Sequence, residues 1–100
     1  MIYAETFVDN ILDWLIKNGF TATEYYTYRK FLPFGCITVR FDVDNVIVCL
    51  DANLINKRFS CKRILSLISF YNTELTDSIL TNTMLNICHE YNKKCLFEEE

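Results

Sequence analysis

The chain has 100 residues, 51% of them apolar and 23% charged, with a formal net charge of −3. That length and apolar content specify one folded domain with a single core, and exclude both a disordered chain and two separate domains. The negative charge disfavours non-specific binding to nucleic acid or anionic membranes and suits a basic protein partner.

Residues 5–18 (ETFVDNILDWLIKN) carry Phe7, Val8, Ile11, Leu12, Trp14 and Leu15 on one stripe and predict an amphipathic helix, which Gly19 stops. On the opposite face Glu5, Asp9 and Asp13 recur every four residues, a candidate ridge for a basic partner and otherwise a solvated helix face. Residues 23–32 (TEYYTYRKFL), rich in Tyr and Thr, predict a strand. Leu32-Pro33-Phe34-Gly35 predicts a turn, with Pro second and Gly fourth.

Residues 36–51 (CITVRFDVDNVIVCLD) hold the clearest period-two alternation and predict a β-hairpin. Its loop at Asp42-Val43-Asp44-Asn45 fits a type I turn, because β-branched Val43 is unsuited to positive φ. The implied register sets Phe41 against Val46, Val39 against Val48 and Ile37 against Leu50. Across the Pro33 turn it sets Tyr28 against Val39 and Tyr26 against Phe41, so one face of a three-stranded meander is apolar. The other face is mixed and presents Tyr25, Arg29, Phe31 and Arg40, residue types that anchor protein interfaces.

Residues 52–59 predict a connection or a short extra strand. Ser60 is suited to cap a helix over 60–71 with Ile64, Leu65, Ile68 and Tyr71 on one side, while a buried fourth strand competes for the same stretch. Asn72 or Thr73 can cap a last helix over 74–93, with stripe Leu75, Ile79, Leu80, Thr83, Met84, Ile87, Cys88 and Tyr91. Residues 95–100 predict a frayed acidic tail. The expected fold is therefore one α+β domain over 1–100: an N-terminal helix, a three-stranded antiparallel meander, and two C-terminal helices packed on one sheet face.

Chemistry-bearing motifs are weak. His89 is the only histidine, and with Cys88 and Cys95 it lacks zinc-ligand spacing. Asp42, Asp44 and Asp51 cluster near the hairpin, where turns favour Asp for conformational reasons. Two glycines cannot build a phosphate-cradling loop. No cofactor, metal or catalytic residue is expected, and the chain is expected not to be an enzyme. Five cysteines (Cys36, Cys49, Cys61, Cys88, Cys95), odd in number and irregular in spacing, fit reduced thiols. With no apolar run near ~20 residues and no signal-peptide pattern, the expected location is the cytoplasm.

One basic cluster stands out in this acidic chain: Lys57, Arg58, Lys62 and Arg63, a candidate nucleic-acid contact. Helix, three strands and then basic residues opening a helix resembles the layout of double-stranded RNA-binding domains, with residues 36–43 (CITVRFDV) similar to their middle strand. In size, charge and element order the chain also resembles small acidic phage-encoded inhibitors, including anti-CRISPR proteins. That resemblance implies a non-enzymatic module occluding a functional surface of a host protein, such as a CRISPR nuclease, in the host cytoplasm. An AT-rich coding bias, suggested by abundant Asn, Ile, Lys, Tyr and Phe, fits a low-GC bacterium, its phage or another virus. An immunity protein, a secretion chaperone, or a homodimer burying the mixed face through Ile47 and Phe31 shares the physical description.

Overall fold

The computed structural model describes residues 2–54 and 56–99, with side chains for 6–54 and 56–95. In chain order it contains helix α1 (Ile2–Lys17), strands β1 (Thr21–Glu24), β2 (Thr27–Leu32), β3 (Gly35–Phe41), β4 (Asn45–Asn53) and β5 (Arg58–Ser66), a 3-10 turn (Leu67–Phe70), and helix α2 (Thr73–Glu99). The strands form one antiparallel sheet in the order β1-β2-β3-β4-β5. The class is α+β as expected. The three-stranded meander with two C-terminal helices is not what forms: among the described residues the sheet has five strands, and one α-helix follows it.

Two local events make the difference. The predicted strand over 23–32 breaks at Tyr25-Tyr26, where Tyr26 takes φ 58° and the chain reverses, so Glu24 pairs with Thr27. Tyr26 therefore does not face the apolar side opposite Phe41; its ring is exposed at the hairpin tip, and only its carbonyl accepts the Phe41 N–H, at 3.0 Å. The stretch over 60–71, expected to be a helix with a strand as the competing reading, forms β5 followed by the 3-10 turn. In β5, Phe59, Cys61, Arg63 and Leu65 turn toward the helices while Arg58, Ser60, Lys62, Ile64 and Ser66 turn away. Arg63 interrupts the inward apolar set, which hides the period of two.

The central register agrees with the sequence. Tyr28 pairs with Val39, and Ile37, Val39 and Phe41 pair with Leu50, Val48 and Val46. The Asp42–Asn45 turn closes with the Asn45 N–H directed to the Asp42 carbonyl at 3.4 Å, and the Asp42 carboxylate accepts the Val43 N–H at 2.9 Å. Gly35 is required by its neighbour strand: a Cβ there would collide with the Asp51 carbonyl oxygen and lie 2.7 Å from the Ala52 Cα.

Helix α1 ends as Gly19 predicts. With φ 84°, Gly19 donates its N–H to the Ile16 carbonyl at 3.3 Å, and Phe20 donates to the Leu15 carbonyl at 3.0 Å, the paired bonds of a Schellman cap. Phe20 is thereby folded back into the core beside Trp14. Helix α2 starts on Asn72, whose side-chain oxygen accepts the Leu75 N–H at 2.7 Å. Its backbone stays helical to Glu99, past residue 93 and through most of the stretch expected to fray; Glu100 lies outside the described residues.

Both helices lie on one side of the sheet. Ile11, Trp14 and Leu15 of α1 and Leu80, Ile87 and Tyr91 of α2 close over Ile37, Val39, Val46, Val48, Leu50, Phe59 and Cys61. Directional bonds set the layer: Asn10 Nδ2 donates to the Phe70 carbonyl at 2.9 Å, and Trp14 Nε1 donates to Asp77 Oδ1 at 3.1 Å. Tyr91 stacks on Phe34 with ring centroids 4.3 Å apart and meets Phe59 edge-on. Among the described residues no helix lies across the opposite sheet face.

Candidate binding face

Alternation along the strands selects the side chains of the uncovered face. Pairing then aligns them in rows: Thr21, Arg29, Thr38, Cys49 and Lys62 form one, and Glu24, Thr27, Arg40, Ile47 and Ile64 the next. On the other side of the first row stand Phe31, Cys36, Asp51 and Ser60, with Arg58 beyond on β5. The two main rows enclose a shallow depression of about 320 Å³, floored by Thr27, Thr38, Ile47 and Cys49 and rimmed by Arg29, Arg40, Lys62, Glu24 and Asp51. A second hollow of about 470 Å³ adjoins it, sharing Cys36's neighbour Asp51 and bounded by Phe31 and Arg58.

The cations of this face differ in their commitments. Arg29 donates to Thr23 Oγ1 at 2.6 Å and pairs with Glu24 at 3.4 Å. Arg40 and Lys62 have no hydrogen bond or ion pair among the described residues. Both are close enough to Cys49 to draw its thiol pKa down, although burial, followed by the charge of Asp51, leaves it raised overall. Two uncommitted cations therefore face the same small hollow.

The sequence-derived candidates separate in space. Arg29, Phe31 and Arg40 share the open face as expected, and Tyr25 sits beyond its edge in the β1–β2 turn, 84% exposed. Phe31 is 74% exposed, whereas Ile47, expected to be exposed, is only 8% so because its neighbours cover it. Asp9 and Asp13 project from α1 into solvent on the helical side; the Glu5 side chain lies outside the described residues. Asp13 joins Glu74 and Asp77 around a groove of about 780 Å³ between the two helices, which Lys17 also lines.

The basic cluster does not act as one patch. Lys57 lies in the β4–β5 turn, Arg58 and Lys62 belong to the open face, and Arg63 points the other way. Arg63 donates to Glu90 Oε1 at 2.7 Å, to Asn86 Oδ1 at 2.7 Å and to Cys61 Sγ at 3.1 Å, while the Cys61 thiol donates to Glu90 Oε2 at 2.7 Å. This clamp joins β5 to α2, and sequence reasoning missed it. Arg63 and Glu90 are 27 residues apart, and nothing in their local patterns couples them. The convergence of Arg40 with Lys62 was also missed; its trace is the alternation of Arg58 and Lys62 with Phe59 and Cys61.

Two of the thiols are poor nucleophiles near neutrality. Burial raises the Cys88 thiol, and burial with the Glu90 hydrogen bond pushes Cys61 up to about 11, so these are protonated near neutrality. All five cysteines are free. Among the described residues no group of three His, Cys, Asp or Glu side chains is placed to hold a metal ion, and no helix is long and apolar enough to cross a membrane. The helix, three-strand, two-helix order used for the inhibitor resemblance is not the order of this chain, and the basic residues of the RNA-binding-domain layout open no helix, because Arg58, Lys62 and Arg63 lie in β5. No protein-family model, curated protein or solved structure matches the chain.

Proposed function

We propose that the chain is a non-enzymatic binding module that covers a surface of another protein with the open face of its sheet. The observation supporting this reading is that Arg40 and Lys62 stand uncommitted over one hollow of a sheet face that no helix among the described residues covers, with exposed Ile64 beside them and exposed Phe31 farther along the same face. Arginine and exposed aromatic side chains on one open face are residue types enriched at protein interfaces. Size, acidity and composition suit a phage or viral inhibitor of a host protein. The contact it favours is an anionic patch on the target, the reverse of what net charge alone suggests.

Nucleic acid is the competing partner, and one experiment separates the two. The tagged chain is used to pull proteins from bacterial lysate with and without nuclease, beside an Arg40→Glu/Lys62→Glu variant. The expected result is a stoichiometric protein that survives nuclease and is lost in the variant. Recovery of nucleic acid without such a protein, or retention of the protein by the variant, contradicts the reading.

A further inference from the structure

The chemistry of the open face specifies its occupant more narrowly. We infer that the hollow over Thr38 and Cys49 takes an extended acidic polypeptide segment of the partner, whose alternate carboxylates meet Arg40, Lys62 and Arg29; this rests on the binding-module reading above.

Geometry carries the inference. Arg29 and Lys62 occupy one row across β2, β3, β4 and β5, which is three inter-strand spacings or about 14 Å. Four residues of extended chain span about the same distance, and their alternate side chains point to one side. Arg40 stands one row over, between these ends, so three cations match carboxylates at every second position of a strand laid across the sheet.

Charge and surface decide between an acidic peptide and a nucleic acid. Glu24 and Asp51 share the rim with the cations. A phosphate backbone, charged at every residue, cannot avoid both; a polypeptide can set an amide N–H or a hydroxyl against each. The floor is Thr27, Thr38, Ile47 and Cys49, without an aromatic ring on which a base could stack, and Phe31 lies outside this hollow. The molecule as a whole carries −3, which repels a long polyanion.

The test uses the full chain and two labelled probes of equal length, a peptide alternating Glu with Thr and an oligothymidylate, read by fluorescence anisotropy over a salt series. The peptide is expected to bind, to weaken as salt rises, and to lose more than about tenfold in affinity with Arg40→Glu/Lys62→Glu. The milder Arg40→Gln/Lys62→Gln pair is expected to weaken it in the same direction, and an unchanged urea midpoint shows that the fold is intact. Tighter binding of the oligothymidylate, equal binding by the double variants, or no peptide binding overturns the inference. If the peptide fails while the variant still loses its captured protein, the acidic-strand occupant falls and the binding-module reading stands. Peptide binding by a chain that captures no protein sustains the occupant and removes that reading.

Discussion

Tyr26 holds a backbone conformation that its side chain opposes. At φ 58° it lies in the left-handed region, where a Cβ costs roughly 1–2 kcal/mol, in a turn position that glycine fills without strain. Its ring sits 4.0 Å from that of Tyr25, with the hydroxyls 3.2 Å apart, and both rings face solvent. An exposed contact of this kind offsets little of the strain. Tyr26→Gly is therefore expected to raise stability by about 0.5–1 kcal/mol in urea denaturation, part of the relief being offset by the freer unfolded chain. A fall in stability would mean that the ring pair outweighs the strain. The same physics explains what was legible: Gly19 and Gly35 mark a helix stop and a turn because glycine is the residue those positions want. The Tyr25-Tyr26 turn carries two strand-forming residues and no such signal.

Strand β5 shows how an ion pair can disguise an element. Its inward set would be continuous were Arg63 apolar, and the partner that makes an inward guanidinium tolerable comes from α2. Ile64, Leu65, Ile68 and Tyr71 meanwhile fall at helical spacing, yet only Leu65 of these packs against the core, while Ile64, Ile68 and Tyr71 are exposed. The central hairpin was readable because one strand's alternation confirmed another's. β5 depends on a contact distant in sequence, and with it went the placement of Lys62 beside Arg40. The clamp has a pH signature. Hydrogen bonds from Cys61 and then Arg63 hold the Glu90 carboxyl below the usual carboxylate range. A folded-state pKa below the unfolded one means the ionised carboxylate favours the fold, so its contribution is present at neutral pH and is lost as pH falls through the folded value. Glu90→Gln is expected to lower the thermal midpoint at neutral pH and to flatten its decline on acidification. An acid profile identical to the parent's would show that the clamp contributes nothing to stability.

Charge is distributed by layer, which the net value conceals. The helical side bears Asp9, Asp13, Glu74, Asp77 and Glu90 against Lys17, Lys93 and Lys94, and the open sheet face bears Arg29, Arg40, Arg58 and Lys62 against Glu24 and Asp51. The excess charge thus differs in sign between the two sides, which orients the molecule as it approaches a charged partner and makes association weaken with salt. An anionic surface would meet the sheet first, and a basic one the helices. Hydroxyl-radical footprinting of the tagged chain, alone and with its captured protein, distinguishes these orientations directly. Protection is expected at Phe31, Ile64 and Tyr25, with Ile16 of α1 and Leu85 of α2 labelled as in the free chain. Protection of Ile16 and Leu85 with Phe31 and Ile64 still labelled would place the contact on the helical layer and contradict the open face as the binding surface.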